Sequence, residues 1–197
     1  MIVVALLIAP LLLAAGPSDY LPLKVGNRWT YRQTAGDGKE TVVNRVTKVR
    51  KKGDQQAFVL EVRGEKGDKT TSVLYWTADG LVQEDSTAAK FSPPMVELKL
   101  PAKPGTVWEW SGTVTIGGGT YKASAKCQHT AIGKLTVPAG TFDVLVVSKT
   151  VTVEAGSSPI RITTTDSYAL GVGWVKGVLD ANGKRTVTEL VSYELAK

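Results

Sequence analysis

One histidine, His129, and one cysteine, Cys127, stand two residues apart in this chain of 197 residues. A transition-metal site needs three or four ligands, so nearly all the others would have to be carboxylates, and no metal is expected. A Ser–His–Asp relay would rest on His129 with no marked partner. The S-x-x-K pattern of serine–lysine hydrolases is absent. Glu84 and Asp85 are neighbours on one expected strand and therefore face opposite ways. Asp143 and Asp166 also fall in expected strands; the sequence does not fix their separation, so a glycosidase stays open. No catalytic residue and no cofactor is assigned. A hydrolase ranks last among the functional readings.

Two glycine motifs invite a binding role, and both have a simpler one. In Pro138-Ala139-Gly140 the proline sets φ and the glycine permits φ > 0, which makes a turn. Gly171-Val172-Gly173 resembles a dinucleotide fingerprint, but the next glycine, Gly177, comes one residue late and no strand-to-helix transition follows. Five tryptophans are the largest investment of the chain. Trp29 and Trp108 read as core. Tyr75 and Trp76 point to opposite faces, and an exposed aromatic on a concave sheet would bind sugar rings or acyl chains. Tyr75, Trp76, Trp110 and Trp174 are the candidate ligand-binding residues.

The elements that carry these residues are strands. L-P-L-K-V-G-N-R-W-T-Y at Leu21–Tyr31 returns as L-P-A-K-P-G-T-V-W-E-W at Leu100–Trp110, with five identities and an aromatic swap. That predicts one supersecondary unit used twice, over about 19–94 and 95–197 of a single β domain. In the first half, alternation places Trp29, Tyr31 and Gln33 on one face, and Phe58, Leu60 and Val62 inward. Gly-Asp turns at short spacing join five strands into a meander. Ser86–Pro94 is the irregular seam, with room for one helical turn at Thr87–Phe91. The second half continues with Val107–Ile116, Thr120–Thr130, Leu135–Phe142, Asp143–Glu154, Ile160–Ala169, Gly171–Asp180 and Arg185–Leu195. Val144–Val147 is apolar on both faces and so covered on both, by strands or by an apolar ligand. The fold class is all-β: antiparallel meander sheets forming a half-barrel, a barrel or a sandwich.

Residues 1–18 read as an export signal. Met1–Gly16 is an apolar run shorter than the roughly 20 residues of a membrane-spanning helix, closed by small residues. An uncleaved N-terminal anchor is the alternative. A single cysteine forms no intramolecular disulfide and predicts no disulfide-linked partner; Cys127 reads as a small buried hydrophobe. The net charge of +6 is spread out except at Lys48, Arg50, Lys51 and Lys52. Without a stacking platform these are a solvated hairpin end, so nucleic acid is not a partner. His129 reads as a strand residue at a sheet margin.

Three motifs together, L-P-L-K-V-G-N-R-W-T-Y, L-T-V-P-A-G-T-F-D-V-L-V-V and Y-A-L-G-V-G-W-V-K, resemble a group of exported bacterial β-proteins of unknown function. Those carry P-L-x-x-G-x-x-W-x-Y, V-P-A-G-T-F and G-V-G-x-V in this order. The resemblance implies an exported antiparallel fold, in periplasm, outer membrane or medium, and carries no activity across. This chain has no cysteine directly after its apolar run to accept a lipid. The leading expectation is a non-catalytic cell-envelope scaffold or adaptor that meets an envelope protein, lipid or glycan. The alternative is a carrier of an apolar or lipid-like ligand in a curved sheet.

Overall fold

A computed structural model describes residues 17–156 and 158–197. The expected export signal lies outside the described residues, save for Pro17 and Ser18 at the start of a 3-10 turn, Pro17–Tyr20. Thirteen strands follow among the described residues: β1 (Arg28–Ala35), β2 (Gly38–Lys52), β3 (Gln55–Gly64), β4 (Lys69–Thr77), β5 (Gly80–Ser86), β6 (Lys90–Ser92), β7 (Met95–Lys99), β8 (Val107–Ile116), β9 (Gly119–Val137), β10 (Gly140–Val153), β11 (Ile160–Ala169), β12 (Gly173–Ala181) and β13 (Lys184–Glu194). All belong to one antiparallel sheet, ordered β6, β8 to β13, β1 to β5, β7. The first strand pairs with the last, Trp29 opposite Tyr193. The two ends of the sheet, β6 and β7, are separated in sequence only by Pro93 and Pro94. The sheet therefore curls into a nearly closed barrel, and of the closures open to the sequence the sandwich is not formed.

Tryptophans hold the seam. Trp108 and Trp110 of β8 donate their indole N–H groups across it, to the Val96 and Pro93 carbonyls at 2.9 Å each. Gly112 lies where the chain crosses β8. A Cβ there would sit 2.2 Å from the Ser92 carbonyl oxygen, so no larger residue fits.

The twice-used sequence makes the same bonds twice. Gly26 donates to Val46, Asn27 to Lys24, and Val46 to Asn27; in the second copy Gly105 donates to His129, Thr106 to Lys103, and His129 to Thr106. Both glycines have positive φ, 100° and 85°, a conformation that excludes most side chains. Trp29 stands opposite Asn44 and Trp108 opposite Cys127, each two residues before the paired position.

The first-half meander forms as expected, and Trp29 and Tyr31 are each 1% exposed. Phe58, Leu60 and Val62 pack on the core, but the other face of β3 is covered too: Ala57 joins Tyr75 and Val82 in a small outer cluster. Four expectations need correction. Thr87–Phe91 is not helical, because Lys90–Ser92 pair with Thr113–Thr115 as β6. Thr120–Thr130 and Leu135–Phe142 are not separate strands. β9 runs from Gly119 to Val137, with a bulge near Thr130 absorbing the irregularity. His129 is not at a margin; it faces inward, fully buried against the edge of Trp108 at 4.9 Å. Lys52, unlike Lys48, Arg50 and Lys51, is not simply solvated, since it pairs with Glu84 and lies 4.9 Å over the Tyr75 ring.

Candidate functional site

The strand alternation of β10 puts Leu145, Val147, Lys149, Val151 and Val153 on the inward face, and all five are buried. A lysine in such a row must find a counter-charge or lose its proton. It finds Glu97 of β7, on the far side of the seam, in a charge-assisted hydrogen bond with both side chains almost out of solvent. Asp166 of β11 lies two register pairs away, opposite Val147 while Lys149 stands opposite Thr164. Burial pulls the Lys149 ammonium down, but Glu97 and Asp166 outweigh it and hold its pKa up at about 12. Burial raises the Asp166 carboxyl, with Lys149 opposing. The small residues Ala123, Ala125 and Cys127 of β9, inward on the neighbouring strand, leave the room that the lysine and the two seam tryptophans occupy. Burial also pushes the Cys127 thiol up to about 11.

Asp166 accepts the indole N–H of Trp174 at 2.9 Å. That reach depends on Gly177, where a Cβ would lie 2.1 Å from the indole. Trp174 in turn tilts against Tyr31, ring centroids 5.0 Å apart, and its carbonyl takes the Tyr31 hydroxyl at 2.8 Å. Beside this group lies a cavity of about 130 Å³. Its aromatic walls are Trp29, Tyr31, Tyr168 and Trp174, its aliphatic ones Leu21, Leu60, Leu74 and Leu81, and Asn44, Gln83 and Glu97 are the polar members. Asn44 is 9% exposed, and its side-chain oxygen has no hydrogen-bond partner.

The four aromatics proposed from sequence do not converge. Tyr75 is buried in the outer cluster and Trp110 at the seam, edge-on to Phe91 at 5.5 Å. Trp76 packs on the core and donates to the Leu21 carbonyl at 3.3 Å. Trp174 alone of the four lines the cavity. Lys149, Glu97 and Asn44 were missed. The lysine left a trace, as the one charge in the inward phase of V-S-K-T-V-T-V; Glu97 and Asn44 left none that periodicity detects. His129 keeps no company with paired carboxylates; its Nδ1–H donates to the Lys103 carbonyl, 3.2 Å away, and burial lowers its pKa. Among the described residues no three potential ligands converge on a metal position.

The motif-bearing turns gather at the end of the barrel where the chain enters. Trp29 Nε1 donates to the Val172 carbonyl at 2.7 Å, Gly171 N to Asp19 at 2.6 Å, and Ala139 N to Leu190 at 3.0 Å. The β9–β10 hairpin is thereby folded onto β13, with Phe142 against Tyr193. Val144 is covered by the chain's own strands.

No family model matches the chain, and neither does any curated protein. Among solved structures, two with TM-scores above 0.5 are similar over most of the chain. One, from Parabacteroides distasonis, is assigned as a lipoprotein: it has a TM-score of 0.62 and 15% identity, over 89% of this chain and 98% of that one. The other, from Bacteroides fragilis, is assigned as an exported protein with a YmcC-like fold: it has a TM-score of 0.53 and 15% identity, over 87% and 97%. The fold is YmcC-like. At this identity the likeness extends to the path of the chain.

Proposed function

We propose that this is a non-catalytic exported protein of the cell envelope, built from two related halves, that works as a scaffold or adaptor. The observation that carries the reading is the filled barrel. All five indole N–H groups are spent on partners within the barrel, four on backbone carbonyls and one on Asp166. The cavity of about 130 Å³ is well below the roughly 300–1,000 Å³ of drug-sized ligand sites. An acyl-chain carrier needs a larger cavity. Export is supported by the apolar run before Pro17 and by the assignments of the two similar structures.

The contact face of this adaptor is the entry end. Val25, Leu170, Val191, Tyr193 and Leu195, all on the segments around that end, are exposed apolar side chains. Such side chains together mark an interaction surface more often than scattered ones do. A photo-crosslinking residue at Leu170 or Leu195 should give one discrete adduct with an envelope component, and the same residue at Asp37, in the β1–β2 turn at the opposite end, none. Cell fractionation should find the protein outside the cytoplasm. Cytoplasmic protein, or a free fatty acid carried through native mass spectrometry, would overturn the reading.

A further inference from the structure

The cavity between Trp29, Tyr31, Tyr168 and Trp174 carries an inference that is independent of the adaptor reading. Four ring systems surround one small space, and a cation that meets a ring face there is attracted by the negative lobe of its quadrupole. The polar members add acceptors. Glu97 contributes a carboxylate, and the Asn44 oxygen is buried without a partner. A buried acceptor left unpaired is costly, so it marks a place where a donor belongs. The nearby charges agree in sign. One ammonium, Lys149, faces two carboxyl groups, Glu97 and Asp166, so acidic groups outnumber basic ones beside the cavity. Lys149 is not available to a ligand, being held by Glu97.

We propose that this cavity binds a small primary or secondary alkylammonium group, its N–H donors on the Asn44 oxygen and Glu97 and its carbons against the aromatic walls. A quaternary ammonium would satisfy the rings and leave Asn44 unpaired. An alcohol would satisfy Asn44 and gain nothing from the negative charge. The volume of about 130 Å³ suits a group of a few heavy atoms. A free amine and the ethanolamine end of a phospholipid share this chemistry.

Titration of the folded protein with n-propylammonium, followed by tryptophan fluorescence and calorimetry, tests it. Saturable binding is expected, with Kd no tighter than the tens of micromolar that about four heavy atoms reach at best. 1-Propanol and tetramethylammonium should bind at least about ten times more weakly, since each lacks one of the two recognised features. Asn44→Leu, which fills the space and removes the acceptor, should abolish binding while the fold is kept. Glu97→Gln should weaken it more than tenfold; should that variant not fold, Asn44→Leu and the ligand series still decide. Dihexanoyl phosphatidylethanolamine competing with propylammonium would identify the lipid headgroup as the source, and failure to compete the free amine. No saturable response, equal binding of propanol, or undiminished binding by Asn44→Leu would each overturn the proposal.

Discussion

Glu97→Gln should be among the most damaging conservative changes in this protein. The substitution keeps the shape and volume of the side chain, so it creates no cavity. What it removes is the hydrogen-bonded one of the two counter-charges of Lys149, whose side chain is 9% exposed. At a normal charge-assisted separation of about 2.8 Å and an effective dielectric constant near 20, that attraction is about 6 kcal/mol. In the native protein it is offset by the desolvation of both ions, several kcal/mol each. Removing one partner leaves the other's desolvation compensated only by the more distant Asp166, and a loss of about 3 kcal/mol is expected. Lys149→Met should cost less than Glu97→Gln, because the two carboxyl groups it leaves, Glu97 and Asp166, can take up protons. The pair Lys149→Met with Glu97→Leu should return to within about 1 kcal/mol of the parent or exceed it. Urea unfolding of the two singles and the double gives the coupling directly. If both singles lie within 1 kcal/mol of the parent, the ion pair is not buried in solution, and the polar interior described above is wrong.

Three further outcomes are expected. Lys149, held up at about 12, and Cys127, pushed up to about 11, both bind their protons more tightly folded than unfolded. Stability is therefore full below about pH 9 and drains as pH rises through 11 and 12, and Cys127→Ala should remove about 3 kcal/mol of that loss between pH 9 and 11 in melting curves. Trp29→Ala and Trp108→Ala should each cost about 3–5 kcal/mol in denaturant unfolding, against about 1–2 for the partly buried Trp76→Ala, and equal losses at all three would refute the matched core positions. Gly112→Ala, whose Cβ would strike the Ser92 carbonyl, should cost about 2–4 kcal/mol. Gly133→Ala, with nothing within 4 Å of the added carbon, should stay within about 0.5; a harmless Gly112→Ala would mean that the seam is looser than described.

Most of the fold was legible because strands of 7 to 15 residues with Gly-Asp turns carry a period of two that survives any tertiary arrangement. The return of the Gly-x-x-Trp unit was legible for a local reason, since its three hydrogen bonds close within each opening and its neighbouring hairpin. β6 was not. Three residues hold no period, and Lys90–Ser92 become strand only because Thr113–Thr115 lie beside them. His129 looked marginal because a lone polar residue in a strand gives no sign of which face it takes; the match with Val46, visible only in the paired hydrogen bonds, places it inside. The polar interior was hidden by distance. Glu97 and Lys149 are 52 residues apart, and barrel closure alone brings β7 beside β10's inward face. The scatter of the proposed aromatics has the same origin: Tyr75 and Trp76 were correctly set on opposite faces, but the cover over each is supplied by other strands.

The pairing of β1 with β13 ties the beginning of the chain to its end. A nascent or threading chain delivers β1 first, and for most of its passage that strand has β2 on one side and nothing on the other. Trp29 and Tyr31 wait as well, because the carbonyls they bond, at Val172 and Trp174, arrive some 143 residues later. Every intermediate length is thus an open sheet with an unfilled interior and a live edge. Closure of the sheet between β1 and β13 therefore has to wait for the last strand to be present.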